Sequence, residues 1–461
     1  MDKDFYKRAL KIAVPIMIQN GITNFVAMLD NIMIGQIGTN QMSSVAIVNQ
    51  LMFVFNLCIF GGLSGIGIFT AQFYGKKDDK GIRHCFRLMF ILACLLSFTG
   101  MIVFSTNGSR LIALYLSKGD ALTSAEETLF YAKQYLQIML IGMLPFALTQ
   151  VYSSTLRSTN ETIIPMRGSM LAVFVNLIGN YILIYGKFGF PVLGVRGAAI
   201  ATALSRFVEL AFVAVWTHSH KEKNIFIQDV FASISVPKDL VINCIKKGSP
   251  LLFNEFLWSA SMATLSQIYS NRGLSVIAAY NISSTIANIF NIAFIALGSA
   301  TGILMGHELG AGHFNTVKRD ANRITVFTLF ICILFGIVLF SIAGIFPQAY
   351  NTSDEIRNLA SGLIRVAACC MPMYAYANAS YFILRSGGKT LITFLFDSCF
   401  SWVVSIPLAY LLVRYTGLPV VRLYLFVQLA DLIKCGIGFI LIEKGVWIHD
   451  ITNTTNKDAA I

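Results

Sequence analysis

Three acidic side chains lie inside apolar stretches of the sequence, where a charge is unusual: Asp30, Glu255 and Asp397. A carboxylate at the centre of a membrane helix costs roughly 2.5–3.5 kcal/mol on insertion scales, so such acids are functional by default. A carboxylate that faces a cavity can hold a proton, a sodium ion or the positive group of a substrate. The alternative is an acid that only forms hydrogen bonds between helices. The sequence therefore predicts cation handling, most directly at Asp30.

Polar residues on two later apolar segments are potential partners of Asp30. Asn176 and Asn180 are four residues apart in "VNLIGNYILIYG", so they share one face of a helix. Thr202 lies in the small-residue segment "GAAIATALS", which permits the close approach of a neighbouring helix. One carboxylate, two amide oxygens and a hydroxyl suit either H⁺ or Na⁺. These four residues are predicted to form a cation-coupling site.

A second set of polar and aromatic residues lies in the second half of the chain. It is predicted to bind a cation or the substrate, and it comprises Glu255, Asn281, Asn288, Tyr374, Asn378 and Asp397. Aromatic rings together with carboxylates suit an amphipathic cation, through cation–π contact and charge. Helix–helix hydrogen bonding is the alternative for the amide and tyrosine stripes. Glu209 and Asp431 each lie three residues from a base, Arg206 and Lys434, and are predicted to pair with it.

Helices long enough to cross a bilayer must position these residues. Hydrophobic residues make up 56% of the 461-residue chain and charged residues only 13%, whereas about a quarter of a soluble protein is charged. The pattern predicts an all-α membrane protein with twelve spans, near residues 10–36, 43–73, 87–107, 129–156, 165–186, 196–217, 248–270, 276–308, 322–346, 357–384, 391–413 and 421–443. The net charge of +12 is attributed to loop residues that set topology, so nucleic-acid binding is not expected. No cofactor is expected besides a coupling ion, H⁺ or Na⁺.

The longest polar break, residues 217–240, divides the spans six and six. We therefore expect an N-terminal lobe at 1–217, an inter-lobe linker at 218–247, a C-terminal lobe at 248–443 and a tail at 444–461. Basic residues concentrate in the N-terminal arm and in the even-numbered loops. The positive-inside rule then predicts a plasma-membrane protein whose termini and linker are cytoplasmic.

Short matches between the two halves predict an internal repeat. "TLRSTNETIIP" (155–165) matches "ILRSGGKTLIT" (383–393), and "KIAVPIMIQN" (11–20) matches "KKGSPLLFNE" (246–255). Six spans repeated in the same orientation imply two lobes related by a pseudo-two-fold axis along the membrane normal, with substrate carried between them. The second match aligns Pro15 with Pro250, and a proline inside a membrane helix permits a kink. Both prolines are predicted hinges, with static helix packing as the alternative.

The motifs "LDNIMIGQIG" in the first span, "LRS" after the fourth and tenth spans and "GAAIAT" opening the sixth span resemble those of the multidrug and toxic compound extrusion (MATE) family. The resemblance covers nearly the whole chain. It implies a V-shaped pair of helix bundles that alternates between inward- and outward-facing states. It also implies a secondary active antiporter that exports cationic amphipathic compounds in exchange for H⁺ or Na⁺. We expect a monomer embedded in the lipid bilayer, with small cationic or amphipathic organic compounds as substrates.

The resemblance assigns Asp30 to the family's first-helix aspartate and Asn176 to the asparagine of its fifth-helix motif. Asn180 stands where the family often has an aspartate, and this departure leaves the coupling ion open. Glu255 resembles the C-lobe glutamate of the Na⁺-coupled branch, but the tenth span has no matching acid. On the number of carboxylates we favour H⁺. The alternative function is a flippase for a lipid-linked precursor, which would need a strongly cationic cavity. No HExxH motif or nucleophile elbow occurs in the spans, so an enzyme is not expected.

Overall fold

A computed structural model describes residues 3–116 and 122–452, and these residues are almost entirely helical. Twelve helical regions of this part of the chain coincide with the twelve predicted spans, so the all-α fold is confirmed. Their bounds are Lys3–Gly35 (α1), Thr39–Gly75 (α2), Asp79–Ala113 (α3), Leu122–Ile141 with Met143–Ser158 (α4), Ile163–Tyr185 (α5), Val195–Ser219 (α6), Lys238–Ser270 (α7), Leu274–Gly310 (α8), Phe314–Ile342 (α9), Asp354–Ser386 (α10), Thr390–Tyr415 (α11) and Val420–Glu443 (α12).

Length and composition make most of these helices candidates for membrane spans. Among the described residues, ten helices are long and apolar enough by themselves, and the two segments of α4 together make an eleventh. The remaining helix, α7, is long enough but less apolar, because it contains Asn254, Glu255 and several serines. Among the described helices, the one of the twelve that is not a candidate span is thus the helix that carries the predicted site residue Glu255.

The described helices form two compact units that are not simple halves of the chain. The Asp30 unit contains Ile18–Thr70 and Asp78–Ile242, and the Glu255 unit contains the chain up to Met17, Ala71–Lys77 and the chain from Asn243 onward. Helices α1, α2 and α7 therefore contribute residues to both units. In α1 the change of unit falls just after Pro15, which lies inside a continuous helix. The hinge role of Pro15 and Pro250 stays a prediction, as do the boundaries of the two contiguous lobes.

The fourth predicted span is a bent pair of helical segments. They meet at Gly142 with a bend of 44°, and the Arg206 guanidinium of α6 donates a hydrogen bond to the Gly142 carbonyl oxygen at 3.3 Å. The same guanidinium lies over the Phe146 ring, 5.1 Å from its centroid. The Gly142 carbonyl oxygen also accepts from the Phe146 N–H at 3.2 Å, so the guanidinium is a second donor to the oxygen at the bend. Arg206 therefore stabilises the bend in α4.

Helices α2 and α8 come into backbone contact in the Glu255 unit. A Cβ atom at Gly75 would collide with the carbonyl oxygen of His307, and one at Gly310 would collide with that of Gln72. Each helix thus presents its last residue, a glycine, to the backbone of the other. Only glycine permits so close an approach of two helices. The glycines that follow the second and eighth predicted spans therefore have equivalent roles in packing.

The segment between α6 and α7 is shorter than the predicted linker and is held against α3. Helix α7 begins at Lys238, ten residues before the predicted C-terminal lobe at 248. Arg83 and Arg87 of α3 donate hydrogen bonds to five backbone carbonyl groups of the segment: those of Ile225, Phe226, Asp229, Val230 and Ser235. The linker therefore has a defined conformation against the Asp30 unit, to which α3 belongs.

The start of α1 and the segment after α12 share one hydrophobic cluster in the Glu255 unit. Phe5 and the fully buried Trp447 both belong to it. Gln72 of α2 holds the same segment, since its amide donates to the His449 carbonyl oxygen (3.1 Å) and accepts from the Ile451 N–H (2.8 Å). Both described ends of the chain therefore lie at the same end of this unit. Of the predicted tail at 444–461, residues 453–461 lie outside the described residues.

Candidate cation sites

Asp30 of α1 accepts amide hydrogen bonds from two asparagines of α5. The Asn180 amide nitrogen donates to Asp30 Oδ1 at 2.7 Å. The surroundings of Asn176 orient its amide so that the nitrogen donates to Oδ1 (2.9 Å) and Oδ2 (3.2 Å) of Asp30. The Asn176 oxygen then accepts from the Thr202 hydroxyl of α6 at 3.2 Å. The structure thus brings together all four residues predicted for the first cation site.

Two electrostatic features distinguish this Asp30 cluster. Among the described residues, no lysine, arginine or histidine forms an ion pair with Asp30. Asn180 is 1% exposed, and its Oδ1 atom has no hydrogen-bond partner. A buried acceptor without a donor is unfavourable, and it lies here beside a carboxylate whose charge no base neutralises. The cluster is therefore electronegative and suited to a proton or a small cation.

Tyr135 of α4 adds a polar group that the sequence analysis missed. Its side chain is 3% exposed, and its hydroxyl interacts with Thr202 and with the charges of Asp30 and Arg206. A buried tyrosine usually places its hydroxyl against a polar partner, so Tyr135 extends the cluster toward α4. The sequence signal was weak, because "YAKQYLQIML" contains two tyrosines and nothing in it distinguishes Tyr135 from Tyr131.

Glu209 belongs to a separate polar network in the same unit. Its carboxylate accepts a 2.5 Å hydrogen bond from the Ser169 hydroxyl, which in turn accepts from the Gln19 amide at 2.6 Å. Arg157 donates to Gln19 Oε1 at 2.8 Å and interacts electrostatically with Glu209. The simple pair expected between Glu209 and Arg206 is therefore replaced by a network across four helices, in which Arg206 acts on Glu209 only through its charge.

A charged triad links α11 and α12 in the Glu255 unit. Lys434 Nζ lies 3.5 Å from Asp397 Oδ1 and 3.6 Å from Asp431 Oδ1. The predicted pairing of Asp431 with Lys434 is confirmed, and the contact with Asp397 is an addition that sequence spacing did not show. Lys434 is only 7% exposed, and its ammonium also lies 5.2 Å from the Phe400 ring centroid. One ammonium therefore serves two carboxylates, which leaves a net negative charge when all three groups are ionised.

Asn254 of α7 connects this triad to the helix that carries Glu255. Its amide nitrogen donates to Asp397 Oδ2 at 3.1 Å, and its oxygen accepts from the Ser398 hydroxyl at 2.7 Å. The backbone around Asp397 forms π-helical turns at Leu395–Cys399 and Ser401–Ser405. Such turns occur frequently at functional sites. The position of Asn254 directly before Glu255 in "LLFNEFLW" is the signal that could have identified it.

Glu255 lies within electrostatic range of Asp397 and Arg385, so the structure places the two predicted acids of the second set in one charged group. The Arg385 guanidinium lies over the Phe382 ring, 5.4 Å from its centroid, and close to the Tyr381 ring as well. Arg385 and Lys434 together supply two positive charges to the three acids Glu255, Asp397 and Asp431. This group is therefore largely neutralised, unlike the Asp30 cluster.

The other predicted members of the second set lie apart from this group. Asn281 and Asn288 are exposed on α8, and no described hydrogen bond joins their side chains to Glu255 or Asp397. Tyr374 lies among a cluster of tyrosines and within electrostatic range of Asp431, but no described contact joins it to Glu255 or Asp397. Asn378 places a buried, unpartnered oxygen against Gly298. Their binding role stays a prediction.

A multi-pass helical fold and a membrane acid without a basic partner are typical of one class of protein, the ion-coupled membrane transporters. The MatE family model matches residues 15–182 and 250–411. The chain belongs to the MatE family, which is a family of transporters, and the resemblance found in the sequence is confirmed.

Similar proteins of known name agree with this assignment. The chain is 24% identical over 444 residues to the probable multidrug resistance protein NorM of Thermotoga maritima, covering 96% of this chain and 93% of that protein. It is 26% identical over 417 residues to the probable multidrug resistance protein NorM of Oceanobacillus iheyensis, covering 90% and 91%. A solved structure of a multidrug resistance MATE family transporter in an outward-facing conformation shares the fold, with a TM-score of 0.85, 18% identity and 95% of each chain covered.

Proposed function

We propose that this chain is a secondary active antiporter that exports cationic amphipathic compounds in exchange for H⁺ bound at the Asp30 cluster. The observation that carries the proposal is the unpaired carboxylate of Asp30, held by two asparagine amides and without a basic partner. Membership of the MatE family and the multidrug resistance proteins among its relatives support export of this substrate class. The flippase alternative is not favoured, because the named relatives are multidrug resistance proteins and because Arg206 and Lys434, two of the bases within the spans, are engaged by protein partners.

The orientation of the asparagine amides supports H⁺ over Na⁺. Na⁺ needs several oxygen ligands in a fixed arrangement, whereas a proton needs one carboxylate. Here the nitrogens of Asn176 and Asn180 are directed at Asp30, and the Asn176 oxygen is occupied by Thr202. An amide nitrogen cannot coordinate a cation. In this orientation the remaining oxygens are those of the carboxylate, of Asn180 and of the Thr202 and Tyr135 hydroxyls, so the two amides hold the carboxylate through their nitrogens and do not jointly supply ligands to Na⁺.

Exchange at one carboxylate couples the two movements. A dehydrated carboxylate is unfavourable unless it is neutralised. The site at Asp30 therefore changes its exposure from one face of the membrane to the other only when Asp30 holds a proton or a substrate cation. Outward movement of one monovalent cation against an inside-negative potential costs about 2.3 kcal/mol per 100 mV, and inward movement of one proton returns the same amount. One-for-one exchange is therefore electrically neutral, and the pH gradient supplies the driving force.

Both termini are assigned to the cytoplasm in this proposal, and the chain to the plasma membrane as a monomer. The shared cluster of Phe5 and Trp447 supports the placement of both ends on one face of the membrane. The basic even-numbered loops support the choice of the cytoplasmic face.

The test of coupling uses proteoliposomes loaded with a fluorescent organic cation, in sodium-free buffer and with the potential clamped. An acidic exterior alone should drive dye efflux, and a protonophore should stop it. An inward Na⁺ gradient at equal pH should drive no efflux above that of empty vesicles. Efflux that follows Na⁺ and ignores pH would contradict H⁺ coupling, and a response to neither gradient would contradict antiport.

Glu255 is proposed to attract the positive charge of the substrate. We expect Glu255→Gln to weaken export of a cationic dye by about tenfold, the effect of roughly 1.4 kcal/mol, and to leave a zwitterionic dye much less affected. The measurement is initial efflux of both dyes from the same vesicle preparation, with Glu126→Gln on the described part of α4 as a matched change. An equal loss for the two dyes would instead indicate a structural role for Glu255.

A further inference from the structure

A basic groove lies in the Glu255 unit where the start of α1 meets the start of α9. It has a volume of about 560 Å³, and it is lined by Tyr6, Asn315, Lys318, Arg319, Asn322, Arg323 and Val326. Tyr6 is fixed there by ring contact with Phe327 at a centroid distance of 5.1 Å. All lining residues belong to one compact unit. The groove is remote in sequence from both candidate cation sites, so it needs a separate explanation.

The charges around the groove leave it positive. Lys318 pairs with Glu443 at 2.8 Å, and Asp320 lies 3.8 Å from Arg319 and 3.4 Å from Arg323. The groove therefore has three basic side chains, and only the two acids Glu443 and Asp320 pair with them. The Arg319 side chain is 62% exposed and its Nε lies 3.8 Å from Asp320, too far for a hydrogen bond, so its donors are available to a ligand. A phosphate, which forms stronger charge-assisted hydrogen bonds with arginine, can compete for these side chains.

An apolar stripe continues from the groove along the outer face of α9. Val326, which lines the groove, is followed by Phe330, Ile333 and Ile337, at spacings of four, three and four residues. These side chains share one face of the helix, and they are 66%, 60%, 45% and 58% exposed. Helix α9 is also long and apolar enough to cross the membrane. The stripe thus begins at the basic groove and continues along a helix that is apolar enough to cross a bilayer.

We propose that this groove binds the phosphate of an anionic glycerophospholipid, with one acyl chain along the Val326–Ile337 stripe. Basic grooves between membrane helices are suited to anionic headgroups, and each nearby base contributes about 1 kcal/mol of attraction. A free phosphate would satisfy the charges but leave the stripe unused, and a zwitterionic lipid would bring no net negative charge. The bound lipid bridges α1 and α9, and it therefore stabilises the packing of Tyr6 against Phe327.

The proposal is tested by native mass spectrometry and thermal unfolding of the delipidated protein in detergent. Added phosphatidylglycerol should bind and raise the melting temperature, while phosphatidylcholine should do so much less. Removal of two bases in Arg319→Gln/Arg323→Gln should reduce the relative affinity for phosphatidylglycerol by roughly 10- to 30-fold. The charge-preserving Arg319→Lys/Arg323→Lys should retain most of it. Arg319→Gln alone, at an exposed position, keeps the test valid if the double variant folds poorly.

Two controls decide the identity of the ligand. Arg110→Gln/Arg167→Gln removes two exposed bases elsewhere and should leave lipid binding unchanged. Glycerol phosphate, which carries the headgroup chemistry without acyl chains, should not displace the lipid, and Phe330→Ser should weaken lipid binding. Displacement by glycerol phosphate would show a site for a soluble phosphate and overturn the proposal. Unchanged phosphatidylglycerol binding in Arg319→Gln/Arg323→Gln would overturn it as well.

Discussion

Asp30→Asn should reduce dye efflux driven by a pH gradient to the level of empty vesicles, while the protein still folds and inserts. An amide has the shape of a carboxylate, but it can neither take up a proton nor carry a negative charge. The new amide oxygen would still accept hydrogen bonds from Asn176 and Asn180, so the packing of α1 against α5 persists. The expected loss is therefore in transport and not in expression or stability. It is measured as initial efflux from proteoliposomes with equal amounts of reconstituted protein.

The matched control is the same chemical change at an exposed carboxylate. Asp354 at the start of α10 is 89% exposed and pairs with Arg357 at 3.0 Å. Asp354→Asn should leave efflux close to the wild-type rate, because an exposed pair contributes little to stability. If Asp30→Asn still exports the dye under a pH gradient at a rate near that of wild type, Asp30 is not the coupling group. A loss of folded protein in Asp30→Asn would point to the structural alternative.

The Asp30 cluster shows which features of a site helical periodicity can predict and which it cannot. The spacing of Asn176 and Asn180 fixed their common face, and the small residues around Thr202 indicated close packing. Both inferences depend on positions within one helix, which periodicity determines well. What periodicity left open was the direction of the amides. That direction depends on the neighbouring helices, and it changes the interpretation from oxygen ligands for Na⁺ to nitrogen donors that hold a carboxylate.

Contacts between helices far apart in the sequence were the part that could not be predicted. Lys434 reaches Asp397 as well as its own-helix neighbour Asp431, and Asn254 reaches Asp397 from α7. Those contacts depend on how each helix is rotated about its axis, and the π-helical turns near Asp397 alter that rotation along α11. A single sequence specifies which residues share a face. It does not specify which face of a neighbouring helix they meet.

The division of α1, α2 and α7 between two compact units has a similar cause. The hydrophobic pattern of a long membrane helix is nearly uniform along its length, so nothing in it marks where the contacts change from one unit to the other. The contact between the ends of α2 and α8 lies beyond such a point, because the end of α2 with Gly75 belongs to the Glu255 unit. Both glycines could be aligned in the sequence as repeat-related positions, but their contacts with His307 and Gln72 of the opposite helix required the structure.

Lys434→Met should cause the largest loss of stability among single substitutions in the charged groups. Lys434 is nearly buried and serves both Asp397 and Asp431, whose side chains are only 26% and 18% exposed. Methionine keeps most of the volume but removes the charge, so two carboxylates remain close together without a cation. Breaking a buried ion pair by removal of one partner costs about 3–5 kcal/mol. We expect a melting temperature in detergent lower by several degrees, with less folded protein by size-exclusion chromatography.

A second substitution separates charge from packing in this result. Lys434→Met/Asp431→Asn removes one of the two carboxylates left without a cation, so it should recover part of the stability that Lys434→Met loses. Asp431→Asn alone should have a small effect, because Lys434 keeps its pairing with Asp397. The coupling energy of the pair is the loss of stability in the double variant minus the sum of the losses in Lys434→Met and Asp431→Asn. Lys133→Met on α4 makes the same change at an exposed position and should leave the melting temperature nearly unchanged. Equal instability of Lys434→Met and the double variant would show that the lost packing of the lysine chain, and not its charge, destabilises the protein.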